Sequence, residues 1–125
     1  MTQLPADAAW KPDLTACIEE PPWNFDIGPG SRAKVSMWFD GPRLVRFAIM
    51  HLTLGDDGSM VEIARADSCD GEVHVHTIDH RGVEVNRKAL LAVTSPEDVA
   101  RGYDLAYKRV IDQWETDRRR WVRGR

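Results

Sequence analysis

The residues with the clearest chemical potential are three of the four histidines, which lie close together within residues 69–80. The local pattern is that of a β-strand, in which successive side chains point to opposite faces of the sheet. This period of two places His74, His76 and His80 on one face, with Glu72, and the valines between them on the other. We expect the valine face to pack on the core and the histidine face to form any site.

Two imidazoles at positions i and i+2 can converge on one divalent ion, with a carboxylate as the third ligand. Imidazole nitrogen favours Zn, Ni, Cu or Fe. The predicted ligands are His74, His76 and Glu72, with Glu62 of the neighbouring strand as another source of the carboxylate. A His-x-His pair alone is a short motif, and exposed strand faces commonly carry such residues as ordinary soluble surface. The cofactor is therefore left open, with a divalent metal as the minority interpretation.

The same histidines could instead act as general acid and base, because an unperturbed imidazole pKa of about 6.5 permits both roles near neutral pH. A ribonuclease-like site would also need a cation to bind phosphate. Arg65 on the adjacent strand, or Arg81 at the following turn, could provide it. The predicted catalytic residues are His74, His76, His80, Asp67 and Arg65.

These residues must be positioned by a sheet. Apolar alternation and turn signals between residues 31 and 86 predict an antiparallel meander of four to five strands. The segment 43–54 is apolar on both parities, which indicates a central strand or a bulge that exchanges faces. Residues 87–93 fit either a short helical turn or a further strand.

A single long helix is predicted over residues 95–121. Ser95 offers an N-cap hydroxyl and Pro96 suits the first helical position, while apolar residues recur at helical spacing from Val99 to Trp121. The predicted fold is therefore α+β, with one face of the antiparallel sheet covered by this C-terminal helix. We assign residues 31–125 to a single α+β domain.

Residues 1–30 form the second predicted region, a proline-rich N-terminal arm with five of the seven prolines. Proline removes backbone donors and disfavours helix in the residue before it, so the arm is expected to be irregular. Trp10 and Trp23 make it too apolar for a purely solvated tail. Trp38 falls on the polar parity of its strand. We expect these three indoles at a subunit interface, where large amphipathic side chains are enriched, or half-exposed between arm and body.

Composition limits the class of protein. A chain of 125 residues with 42% hydrophobic content is the size of one domain. The 17 basic and 20 acidic residues nearly cancel, which argues against a dedicated nucleic-acid coat or membrane-surface protein. The two cysteines lack metal-type spacing, and no leader or membrane span is evident. We expect free thiols and a cytoplasmic protein. The terminal arginines allow nucleic-acid contact, which is not favoured.

One stretch resembles a known group of proteins. Arg65-Ala-Asp67, then Asp70-Gly71-Glu-Val-His74-Val-His76 and Asp79-His-Arg-Gly82, is similar to small uncharacterised bacterial and phage proteins with an Arg-x-Asp, His-Gly, His-x-His pattern. Some of these resemble TumE-like toxins of toxin–antitoxin pairs. The likeness covers about residues 61–121, and Asp70 stands where a histidine commonly precedes the glycine. It implies a mobile-element or accessory-gene setting rather than a particular activity.

The main functional expectation is a small binding or regulatory module of the accessory genome that forms a homo-oligomer or binds a protein partner. The apolar arm, the excess tryptophan and the opposite charges of the two chain ends favour it. A toxin-like enzyme acting on RNA through the histidine strand is one alternative. The other is a small-ligand pocket between sheet and helix, lined by Met37, Phe47, Met50 and Trp114.

Overall fold

The computed structural model describes residues 10–124, which build an antiparallel sheet with two helices across one of its faces. A 3-10 turn at Leu14–Ala16 precedes strands β1 (Ile18–Glu19), β2 (Trp23–Gly28), β3 (Ser31–Asp40), β4 (Arg43–Leu54), β5 (Met60–Cys69), β6 (Glu72–Ile78) and β7 (Glu84–Ala92), followed by helices α1 (Pro96–Asp112) and α2 (Trp114–Arg123).

The sheet is a meander from β3 to β7, in which each strand pairs antiparallel with the next along the chain. Its turns use glycines at positive φ, as tight hairpins require: Gly41 at 58°, Gly58 at 85° and Gly71 at 78°. β1 and β2 both pair with the outer edge of β3. The long segment Arg43–Leu54 is central, as predicted, and bulges interrupt its pairing with both neighbours.

The core lies between the sheet and α1. Alternate residues of β4, including Phe47 and Ile49, are fully buried against it. Gly102 of α1 allows this close packing, because a Cβ at that position would lie 2.4 Å from Cγ2 of Val73 on β6. Val73 is itself fully buried, so the predicted valine face is on the core side. Burial of each such large apolar side chain contributes about 1.5–3 kcal/mol.

The sheet has more strands than predicted. The structure describes seven rather than four to five in residues 10–124. Part of the predicted irregular arm forms the short strands β1 and β2, whose residues lie between the prolines. Prolines next to these strands are tolerated because both strands are at the edge of the sheet. Residues 1–9 of the arm lie outside the described residues. The ambiguous residues 87–93 belong almost entirely to β7.

The single long helix is also a correction, because α1 and α2 are separated at Gln113 (φ −113°, ψ 19°). Asp117 of α2 is buried and accepts two hydrogen bonds from Arg109 of α1, at 2.9 and 3.1 Å. Arg120 reaches Asp117 at 3.2 Å and donates to the backbone oxygen of Ile63 at 2.8 Å. These contacts join both helices to the sheet through one buried carboxylate.

Ser95 is the N-cap residue of α1 and Pro96 its first residue, as predicted. The Ser95 hydroxyl makes no capping hydrogen bond, however. Instead, Asp98 accepts hydrogen bonds from the backbone and hydroxyl of Thr94, both at 3.0 Å. Among the described residues, no helix is long and apolar enough to cross a membrane.

Candidate functional site on the open sheet face

The sheet face opposite the helices, called here the open face, carries His74 and His76. On β5 and β6, Asp67 lies directly opposite His74, and Arg65 lies directly opposite His76. Side chains opposite one another on adjacent strands have Cβ atoms about 5 Å apart. The antiparallel register therefore brings together four residues that the sequence predicted for one site.

Asp67, His74 and His76 form the tightest group, called here the Asp-His-His cluster. One potential ligand atom from each residue lies within 4.8 Å of the other two. His74 is only 7% exposed. The side chains of His76 and Asp67 are 15% and 17% exposed. This degree of burial is unlike an ordinary solvated strand face, where imidazole and carboxylate would be largely in water.

His76 lies between two carboxylates. Its Nε2 is 3.2 Å from Oδ1 of Asp67, and its Nδ1 forms a hydrogen bond with Glu84 of β7. This bond with His76 is the main cause that holds the pKa of Glu84 below its ordinary value. A neutral imidazole that donates Nδ1–H to Glu84 would point its Nε2 lone pair at Asp67. Two such acceptors repel, so the geometry calls for a cation, either a proton or a metal ion, on the Nε2 side.

His74 has a different pair of neighbours. Nη2 of Arg87 lies 3.1 Å from its Nδ1, and Oε2 of Glu72 lies 2.9 Å from its Nε2. A guanidinium can only donate, so Nδ1 accepts and Nε2 carries the hydrogen that is donated to Glu72. His74 is thus a neutral imidazole in this arrangement. It can ligate an ion through Nδ1 once Arg87 moves aside, or through Nε2 once the hydrogen has moved to Nδ1, which also requires Arg87 to move.

The charge around the cluster is negative. Each nearby arginine already faces a carboxylate of its own: Arg65 pairs with Glu62 at 2.9 Å, and Arg87 lies 3.7 Å from Asp70. The hydrogen bond to Glu62 is also the main cause that raises the pKa of Arg65. No arginine of the described residues forms a close ion pair with the three carboxylates that touch the histidines, Asp67, Glu72 and Glu84, although Arg65 and Arg87 act on Glu84 at longer range. Such a surface attracts cations and repels phosphate.

His80 is not part of this site, contrary to the face assignment made from the sequence. β6 ends at Ile78, so the alternation stops before His80. The His80 ring stacks on Trp121 of α2, with ring centroids 3.7 Å apart. Conversely, Glu84 and Arg87 were missed as site residues: Glu84 lies at the end of the predicted meander, and Arg87 begins the segment 87–93 that the sequence left ambiguous. The signal available was their charge and their distance of about ten residues from the histidines, which one hairpin spans.

The three tryptophans of the predicted interface have different surroundings. Trp38 lies half-buried on β3, with the Arg46 guanidinium carbon 4.7 Å from its ring centroid. Trp10 packs against the core cluster, and its backbone N–H donates to the oxygen of Val93 at 3.0 Å. Trp23 is 45% exposed. Their role between subunits stays a prediction.

The residues expected to line a sheet–helix pocket do not lie together. Phe47 is fully buried, with its ring edge-on to Tyr103 of α1. Met50 is on the other face, paired with Arg65. The Trp114 ring lies directly against Gly28, where a Cβ would be 2.1 Å away. The predicted pocket lining is therefore split between two faces of the sheet.

Comparison with known proteins adds no functional information to this geometry. No family model, no curated protein and no solved structure matches the chain. The resemblance to TumE-like toxins accordingly stays a prediction.

Proposed function

We propose that this protein binds a divalent transition-metal ion through Asp67, His74 and His76. The observation that carries the proposal is the position of His76 between two carboxylates, with Glu84 at Nδ1 and Asp67 facing Nε2. Metal-bound histidines commonly donate their other ring nitrogen to a carboxylate, which orients the ring and raises its basicity. A metal ion on the Nε2 side would also remove the repulsion with Asp67.

Two imidazoles and one carboxylate are a donor set typical of zinc and of non-haem iron. The cluster differs from the ligand set predicted from the sequence, because Asp67 takes the place given to Glu72. Glu72 remains beside His74 Nε2 and is placed to act as a further ligand or to orient that ring. Three protein ligands on an open face leave a coordination position for water or a substrate, as in catalytic zinc sites.

Two observations favour a metal over the RNA-acting alternative. The arginines next to the histidines, Arg65 and Arg87, already face Glu62 and Asp70, so neither is free to bind a phosphate beside the histidines. In addition, the carboxylates in contact with the histidines would repel a polyanion. The broader expectation of a binding module is kept in this proposal, with the ion as the bound species.

The test is zinc titration of tag-free, chelator-treated protein by isothermal titration calorimetry, with the metal content measured by mass spectrometry. We expect one ion per chain in the wild type and loss of that ion in His76→Ala. Glu84→Gln should weaken binding by about 10–100-fold, because it removes the partner of a ligand rather than a ligand. His80→Phe is the matched control, since it removes a histidine outside the cluster and retains a ring against Trp121.

Absence of binding in the wild type would contradict the proposal. If nitrogen NMR then showed both His76 nitrogens protonated, a proton would be the cation between Asp67 and Glu84. The cluster would in that case be an acid–base pair of the kind that the enzyme interpretation requires.

A further inference from the structure

The pairing of the strands determines which side chains surround the Asp-His-His cluster on the open face. One row of opposed residues crosses the strands as Ser36 on β3, Ala48 on β4, Asp67 on β5, His74 on β6 and Ala89 on β7. Apart from the two site residues, every member of this row has a small side chain. The row is called here the floor.

Longer side chains flank the floor on both sides. The neighbouring row on one side contains Lys34, Met50, Arg65, His76 and Arg87. On the other side, Trp38 of β3 lies opposite Arg46 of β4, and Glu72 of β6 lies opposite Cys69 of β5, the one small residue among these four. Because side chains on one face of a sheet stand roughly perpendicular to it, small residues between two rows of large ones form a trough. The trough runs across the strands and ends at the cluster.

Charge divides this trough into two halves. At the β3–β4 end, Lys34 and Arg46 are cations that make no ion pair with any described residue, and Arg46 instead covers the Trp38 ring. Glu19 of β1, opposite Trp38, places one carboxylate at the outer edge of this end. At the β5–β7 end, Asp67, Glu72 and Glu84 surround the histidines, whereas the two cations there, Arg65 and Arg87, face Glu62 and Asp70. A molecule with one anionic group would be attracted to the first half and repelled by the second. The field therefore orients such a molecule with its uncharged end at the cluster.

We propose, building on the metal centre above, that the trough binds an elongated small molecule with an anionic group at Lys34 and Arg46 and a metal-binding oxygen group at the cluster. Adjacent strands are about 4.8 Å apart, so the two ends of the molecule are separated by about 10 Å. The apolar middle of the ligand lies over Ala48 and against Met50, and its length matches an aromatic or short aliphatic acid.

The test compares two probes on zinc-loaded protein by isothermal titration calorimetry. Benzohydroxamic acid supplies the metal-binding group alone, and 4-carboxybenzohydroxamic acid adds a carboxylate at the far end of the ring. We expect the carboxylated probe to bind about tenfold more tightly, which corresponds to one favourable charge contact in a partly desolvated site. Lys34→Gln and Arg46→Gln should abolish this advantage and leave the affinity for benzohydroxamic acid unchanged.

Lys88→Gln is the control. Lys88 of β7 lies opposite Val75 of β6, whose side chain is on the core side of the sheet, so Lys88 does not lie on the open face. Unchanged benzohydroxamic acid binding shows that each variant is folded and retains its metal, whose content is measured after each titration. Equal affinity for the two probes, or an advantage that survives in both Lys34→Gln and Arg46→Gln, would overturn the trough while metal binding stands. Bound metal without any probe binding would overturn it as well. Failure of the wild type to bind zinc would overturn both proposals.

Discussion

His51 makes the folded protein sensitive to acid. It lies on the core face of β4, fully buried, with Nε2 at 2.9 Å from the Ser31 hydroxyl. Its Nδ1 has no hydrogen-bond partner among the described residues. Burial is the main cause that lowers the pKa of His51 from its ordinary 6.5 to about 4, and the neighbouring arginines of the helices contribute to the same shift. Asp117 opposes this shift but does not cancel it.

The sign of the effect follows from which state binds the proton. The unfolded chain protonates His51 near pH 6.5 and the folded protein only near pH 4, so the unfolded state binds more protons between these values. Stability is therefore lost as the pH falls through this window and is unaffected by His51 above it. At about 1.4 kcal/mol per pKa unit, the loss reaches about 2 kcal/mol at pH 5 and about 3 kcal/mol at pH 4.

The assay is urea unfolding at pH 7.5, 6.5, 5.5 and 4.5 for the wild type and His51→Gln. Glutamine can hydrogen-bond to Ser31 and does not titrate, so the difference between the two curves isolates His51 from every other group. We expect the wild-type free energy of unfolding to fall more steeply with acid than that of the variant. Parallel curves across the window would refute the assignment of His51 as a buried neutral imidazole.

Two further substitutions test the packing of the helices. Gly102→Ala should destabilise the protein by about 1–3 kcal/mol, because the new Cβ would lie 2.4 Å from Val73 Cγ2 in a filled core. Adding Val73→Ala should recover part of the loss in urea unfolding, whereas additive losses would contradict a direct clash. Asp117→Asn should cost about 2–3 kcal/mol, since it leaves Arg109 and Arg120 facing a neutral amide in a partly buried site. An unchanged thermal midpoint would show that this network does not hold α2 in place.

Local patterns predicted the strands whose two faces have different environments. β6 is the clearest case, because Val73 and Val75 are buried in the core while His76 lies on the open face. Residues 87–93 were ambiguous because they lack regular apolar alternation. They belong to β7, in which Glu84–Lys88 is exposed and, apart from Val85, polar, as is common for an edge strand protected from aggregation. The break at Gln113 was not predictable from helical periodicity. It accompanies ion pairs of the buried Asp117, whose burial depends on contacts distant in sequence.

The site was predictable only as far as regular alternation extends. Asp67 joins the histidines because β5 and β6 pair without a shift in register. Between β6 and β7 the register shifts twice, once near His74 and once near Ile78. Each shift changes which face a residue of β7 occupies. The sequence therefore could not show that Glu84 and Arg87 both reach the histidines, although it placed them on a neighbouring segment.

The two faces of the sheet provide histidine with opposite electrostatic environments, and this contrast supports the metal proposal. On the core face, burial and the arginines of the helices outweigh Asp117 and disfavour a positive charge on His51. On the open face, His76 is held between Asp67 and Glu84, where a positive charge is stabilised from both sides. Both rings are largely removed from water, so solvent cannot screen either environment well. A cation added to this protein should accordingly bind on the open face, at the Asp-His-His cluster.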